Sequence, residues 1–298
     1  MNQLIDLSAQ IGLPEAKLNP ENLEMSYGPE VAIFVKAWNK TLGANSMSQA
    51  PLWLSLMLAV DYTDEQGNIV TQPDLTQYRD PDAVLYCGQQ GLYWNNPELL
   101  DQLASHKLRP DVTVLPSGTI GQEFIRTEGH DHLSNLPEVY ETNYGQNGFL
   151  LFKIKDNSEE IEDVMFVFAK AGDHTIFMPK YQHISLNLGD TPFVMTDWVS
   201  TEAQSNFEFI KHHNGAPYWV VKGQGGQPQF ILNPRYKGKV PPIRLLRPAP
   251  EIPEFGLKKG EPMFNIVKEG KIELLNFLND TNESGKYDEI YQRAYVPV

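Results

Sequence analysis

A single cysteine, Cys87, occurs in 298 residues, so no intrachain disulfide can form and no thiolate cluster can hold a metal. Any metal ligands must be nitrogen or oxygen. Positive charge is also scarce: 24 Lys and Arg stand against 38 Asp and Glu, for a net charge of -14. That balance argues against a nucleic-acid or anionic-membrane partner, since either would be repelled, and an anionic small substrate would need a local pocket. Long apolar runs are missing too. Ala50 to Val60 is strongly apolar but too short to cross a bilayer core of about 30 Å as a helix, and it reads as a buried segment. Met1 to Pro20 has no basic residue before Lys17 and no long apolar core, which argues against a signal peptide and for a soluble cytoplasmic protein. Gly223-Gln224-Gly225-Gly226 is followed by no Lys-Ser/Thr pair, so it reads as a hairpin turn and not a phosphate loop.

Hydrophobic residues make up 41% of the chain, ample for a packed core. Pro29 to Leu42 shows helical spacing of Val31, Phe34, Val35 and Trp38, with Gly43 as a stop. Pro97 to Leu108 predicts a second helix, capped by Asn95 or Asn96 and striped by Leu99, Leu100 and Leu103. Asp61 to Pro81 reads as turns around short strands. About ten short strands then follow, from Val112 to Leu115 through Gln229 to Leu232, and predict an all-β jelly roll or similar barrel. Val240 to Pro253 is a proline-dense connector, expected to run extended along the surface. Lys271 to Asn279 predicts a helix burying Leu274, Leu275 and Leu278.

The chemistry concentrates in Thr127-Glu128-Gly129-His130-Asp131-His132, with Glu138 shortly after and His183 much later. On a strand, side chains at i and i+2 share a face, so the imidazoles of His130 and His132 can reach one ion. A turn at Leu133 to Leu136 would return Glu138 on the neighbouring strand. His183 would arrive from a distant strand whose inward face converges on the same cavity. Alternation places Tyr181, His183, Ser185 and Asn187 on one face. Gly129 permits a bulged strand that re-aims the histidines. His106, His174, His212 and His213 are read as surface residues.

A glycine, a His-x-His pair and a glutamate, followed by a Pro-containing turn with a histidine and a trailing asparagine, resemble the two motifs of the cupins. Within them the chain resembles the cupin-type (archaeal-type) glucose-6-phosphate isomerases. Thr127-x-Gly129-His130-x-His132, Glu138-Val139-Tyr140, Gly148-Phe149-Leu150-Leu151, Asn187-x-Gly189-Asp190-x-Pro192-Phe193 and Asn233-Pro234-Arg235-Tyr236-Lys237 carry the resemblance. It spans residues 109–237. It implies a cupin jelly-roll barrel (double-stranded β-helix) there. The sequence on either side predicts an N-terminal extension over 1–108 and a Pro-rich connector with a helical extension over 238–298, packing on the barrel or on a second subunit. Two departures stand out. The His132-to-Glu138 spacing and the Pro179-to-His183 turn are each about one residue shorter than usual. Where the family carries a histidine after the last core strand, this chain has Ala203-Gln204-Ser205-Asn206-Phe207.

The ligands His130, His132, Glu138 and His183 suit one divalent first-row transition metal, Fe, Mn, Ni or Zn, acting as a Lewis acid. The resemblance implies interconversion of glucose 6-phosphate and fructose 6-phosphate through a metal-stabilised cis-enediolate. Glu138 is the candidate base, Tyr140 and Tyr181 candidate donors to sugar oxygens. By the same resemblance, Thr127 and Gly129 hold the phosphate, with Arg126, Lys153 and Lys180 as possible added charge. The expected partner is a small sugar phosphate, and a homodimer is the expected assembly. Two other readings stay open: a cupin sugar- or ligand-binding protein without isomerase activity, and an Fe(II) cupin dioxygenase.

Overall fold

Strands rich in Val, Ile, Phe and Leu build two facing sheets, antiparallel except for one parallel pair. The computed structural model describes residues 3–41, 62–63, 69–70, 84–120, 122–156, 158–213, 215–236 and 240–298. The apolar stretch from Ala50 to Val60 lies outside them. So does most of Asp61 to Pro81, apart from the paired strands Tyr62–Thr63 and Ile69–Val70.

One sheet has six strands, ordered His174–Phe177, Glu138–Tyr144, Phe193–Ser200, Leu108–Leu115, Val84–Trp94 and Val31–Thr41. Its partner has five, ordered Tyr181–Asn187, Gln146–Ile154, Ile161–Lys170, Arg244–Pro248 and Tyr295–Pro297. Between residues 138 and 200 the chain steps back and forth between the two sheets, which is the winding of a cupin jelly roll. A smaller four-stranded sheet includes Glu123–Phe124, Tyr218–Lys222 and Pro228–Leu232.

Three elements differ from the sequence expectation. Val31–Thr41 is a strand, antiparallel to Val84–Trp94, and not a helix over 29–42. Its run of β-branched and aromatic residues favours a strand, and a register shift between Ile33 and Lys36 breaks strict alternation. The broken parity leaves an apolar spacing that imitates a helix. The connector expected on the surface contributes Arg244–Pro248, which pairs in parallel with Ile161–Lys170 through Met165, Phe166 and Val167. The last predicted helix is a 3-10 helix, Ile272–Asn279, with Leu275, Phe277 and Leu278 buried and Leu274 only partly so.

The helix at Pro97–Ser105 matches its cap: the Asn96 side chain accepts from the N–H groups of Glu98 and Leu99. The segment after residue 250 packs against the six-stranded sheet. Phe264 meets Trp94 at 4.7 Å and Trp198 at 4.8 Å between ring centroids, and Phe255 stacks on Phe277 at 3.7 Å. These residues and the barrel interior form one continuous apolar cluster. Its polar end holds the histidines.

Candidate metal centre

Four elements deliver the site. His130 bridges to His183 across an isolated pair, with reciprocal backbone bonds of 3.2 and 2.9 Å. His132 lies in the two-residue strand Asp131–His132, paired with Ser205–Asn206. Gly129 makes this approach possible. Its φ is +84°, and a Cβ there would meet the Ile184 side chain, Ile210 Cδ1 at 2.9 Å and the His183 carbonyl oxygen at 3.1 Å. Only glycine fits such a conformation and such a space.

The turn after His132 forms as expected. Asn135 adopts φ +52°, its N–H bonds the His132 carbonyl at 2.9 Å, and the chain returns as Glu138–Tyr144. His132 Nδ1 donates to the Leu136 carbonyl at 2.8 Å, since a carbonyl can only accept, and this turns Nε2 with its lone pair inward. The second turn, Met178-Pro179-Lys180-Tyr181, closes with a Tyr181 N–H to Met178 carbonyl bond of 3.2 Å and Lys180 at φ +68°.

His130, His132, Glu138 and His183 each offer a ligand atom, all within 4.8 Å of one another. His183 Nε2 lies 3.2 Å from His130 Nε2 and 3.3 Å from Glu138 Oε2. His132 Nε2 is 3.5 Å from the same oxygen. Glu138 Oε2 is buried without a hydrogen-bond partner. Three inward-facing ring nitrogens around an orphaned carboxylate oxygen are what a divalent cation satisfies. The set fits a metal.

Burial governs the ionisation of these groups. Desolvation, helped by the neighbouring His132, pushes His130 down to about 3. His183 is lowered further by burial and then by His130, and His132 is lowered chiefly by burial. All three are therefore neutral, the form that binds metal. Glu138 is pushed the other way, first by burial and then by the charge of Asp197. Without a cation it holds a proton; a cation displaces it.

Tyr140 lies beside the same cluster. Its ring stacks on Phe177 at 4.4 Å and lies 6.0 Å from His183, and burial followed by Glu138 keeps its hydroxyl protonated. The Thr127 hydroxyl accepts the Ser185 N–H at 3.0 Å, leaving its own proton to donate. Tyr181 is not brought into the cluster: its hydroxyl donates to Asp163 at 2.9 Å, which Arg244 also grips. None of the three added cations serves the site. Arg126 is buried against Glu123 at 2.9 Å, Lys153 pairs with Glu162, and Lys180 pairs with Asp156. His174 and His213 are buried, contrary to the surface reading.

Sequence reasoning missed an acidic row beside the ligands. Tyr140 pairs across the sheet with Asp197, and Asp197 with Asp111. Asp197 and Asp111 are both buried. Asp197 hydrogen-bonds Glu138, while Asp111 accepts a bidentate bond from Arg109 and the Gly91 N–H at 2.8 Å. The visible signal was a lone carboxylate inside the apolar strand Phe193–Ser200. Other motif residues prove to be turn locks. The Asn187 amide donates to the carbonyls of Leu115, Pro116 and Thr191, and Asn233 likewise bonds those of His213 and Ala216.

Comparison with known proteins agrees with this geometry. The chain is 29% identical over 126 residues to the glucose-6-phosphate isomerase of Thermococcus onnurineus and 28% identical over 126 residues to that of Pyrococcus furiosus. Each alignment covers 42% of this chain and 62% of the relative, so the chain spans less than two thirds of the length of the relatives it matches. Among solved structures, oxalate decarboxylase from Bacillus subtilis aligns with a TM-score of 0.30 at 15% identity, covering 41% of this chain and 27% of that one. A family model described as glucose-6-phosphate isomerase (GPI) matches residues 74–235. That span exceeds half of the chain and contains all four ligand residues, and the chain belongs to the glucose-6-phosphate isomerase family.

Proposed function

We propose that the chain is a metal-dependent aldose-ketose isomerase interconverting glucose 6-phosphate and fructose 6-phosphate. The observation that carries this reading is the convergence of three neutral imidazoles on the unpartnered Glu138 oxygen, in a chain of the isomerase family. His130, His132, Glu138 and His183 would hold the cation. Bound there, a divalent ion supplies a Lewis acid that stabilises negative charge developing on the C1 and C2 oxygens.

The remaining work falls to the chain's own groups. Isomerisation moves a proton between adjacent carbons, and a carboxylate of Glu138 can take it from one and return it to the other. Asp197, bonded to Glu138, fixes the orientation of that carboxylate. Tyr140 keeps its proton and can donate to a sugar oxygen as charge builds. Thr127 and the backbone at Gly129, next to His130 in the chain, would receive the phosphate.

A second reading, a sugar-phosphate-binding barrel without turnover, draws on one feature. Where the family has its histidine, Ser205 and Asn206 pair with the ligand strand and contribute no imidazole. Anaerobic conversion of fructose 6-phosphate by the Mn2+-loaded protein separates the readings. Turnover supports the isomerase, and binding without turnover supports the passive barrel. Oxygen uptake in an aerobic control would support a dioxygenase instead.

A further inference from the structure

A second group of ligand-capable side chains gathers at the C-terminal end of the short helix Glu208–His212. We propose that Glu159, His212 and His213 form a second site for a divalent transition-metal cation. Their ligand atoms all lie within 4.8 Å of one another, and they share no residue with the barrel site.

His213 is the anchor. It caps the short helix Glu208–His212 and is 5% exposed. Its ring stacks on Tyr236 at 4.5 Å and 24° and lies 4.4 Å from Phe209. Its Nδ1 is 2.9 Å from the Phe209 carbonyl oxygen. A carbonyl only accepts, so Nδ1 carries the hydrogen and Nε2 presents a lone pair. A backbone carbonyl fixing the tautomer from behind is the support that metal-binding imidazoles ordinarily receive. His212 follows directly, with its ring 5.0 Å away at 77°, and Glu159 reaches in from the turn between Gln146–Ile154 and Ile161–Lys170.

Two imidazoles and one carboxylate, with positions left for water, select a borderline ion such as Zn2+, Co2+ or Ni2+ over Mg2+ or Ca2+. Affinity is weaker than in the barrel, because Glu159 and His212 are exposed and must give up rotamer freedom on binding. The site would fasten the 155–160 turn to the helix. That helix follows Ser205–Asn206, which pairs with the His132 strand, and Phe207, whose ring lies 5.3 Å from His130.

Calorimetric titration of the metal-free full-length protein with Zn2+ tests the proposal. The wild type should bind a tight and a weaker equivalent. His212→Ala and Glu159→Gln change exposed residues, so the fold should stand, with an unchanged far-ultraviolet circular dichroism spectrum as the check. Each should weaken the second equivalent about tenfold or more while leaving the first intact. His132→Ala should do the reverse, so failure of the barrel site and failure of this one give different patterns. Retention of the weaker equivalent at unchanged affinity in His212→Ala, or its absence from the wild type, overturns the proposal. Weak Zn2+ uptake that no single variant alters would mark only adventitious surface binding, and overturns it too.

Discussion

His132 and His183 ligate only when neutral, and burial rather than a partner keeps them so. Removing either imidazole takes away one of four donors and opens the site. His132→Ala and His183→Ala are expected to lose most metal affinity and all metal-dependent turnover. His106→Ala, which removes a ring whose Nδ1 bonds Asn276 at 2.7 Å and which is no part of the cluster, should lose neither. Metal content by mass spectrometry alongside turnover checks the contrast. Tyr140→Phe keeps the ring stack on Phe177 but removes the hydroxyl. It should retain metal and lower kcat about 100-fold or more, within the usual range of about 100- to 10,000-fold for one acid-base group. An unaltered kcat would reduce Tyr140 to packing. Because a bound cation must displace the Glu138 proton while the histidines are already neutral, apparent affinity should rise with pH by one proton's worth, tenfold per unit, over the acidic side. At this scale the candidate ligands were legible from motif spacing, His130 and His132 standing two residues apart, although His130 sits in an isolated bridge outside the strand Asp131–His132. Asp197 and Arg109 were not: their approach to Glu138 arises from register between strands far apart in sequence.

At the level of elements, the left-handed backbone at Gly129 decides whether the histidine pair meets His183. Gly129→Ala would force a side chain into a left-handed backbone conformation and into Ile184 and Ile210. The strain and overpacking should cost about 2–4 kcal/mol, seen as a lower denaturation midpoint, and should cut metal affinity because His130 moves. The Asn96 cap is a milder test, with Asn96→Ala expected to cost about 1 kcal/mol and leave metal binding unchanged. The strand positions between residues 112 and 232 were largely readable from apolar runs between turn residues, and the Pro97 helix from its cap. Val31–Thr41 was misread because a register shift disguises strand alternation as helical spacing. Arg244–Pro248 was read as a connector because prolines at 241, 242, 248 and 250 signal a loop, yet it pairs through three residues with the middle of Ile161–Lys170.

Across the whole molecule, segments outside 109–237 complete both sheets: Val31–Thr41 and Val84–Trp94 extend one, Arg244–Pro248 and Tyr295–Pro297 the other. A fragment of residues 109–237 would expose Trp198, Val112 and Val114, which the flanks now cover, and is expected to be insoluble or molten by near-ultraviolet circular dichroism. Buried ionisable groups also set the stability profile of the metal-free protein. His130, lowered from 6.5 to about 3, and His174, lowered from 6.5 to about 4, contribute stability present above pH 6.5 and lost as pH falls toward those values. Glu141, raised by burial from 4.5 to about 8, and Glu123, raised from 4.5 to about 7, act oppositely: their contribution is present below pH 4.5 and lost as pH rises. The opposing slopes predict a thermal midpoint that is broadly flat between pH 4.5 and 6.5 and falls on either side. A metal ion at about 100 times its Kd should raise stability by about 2.7 kcal/mol, since it binds the folded chain alone.

The most direct test is anaerobic conversion of fructose 6-phosphate to glucose 6-phosphate by chelator-stripped protein titrated with Mn2+. The expected result is no turnover in the stripped form and a rise that saturates at one tightly bound equivalent, absent from His183→Ala. Turnover that persists after stripping, or that His183→Ala supports equally well, would contradict the account.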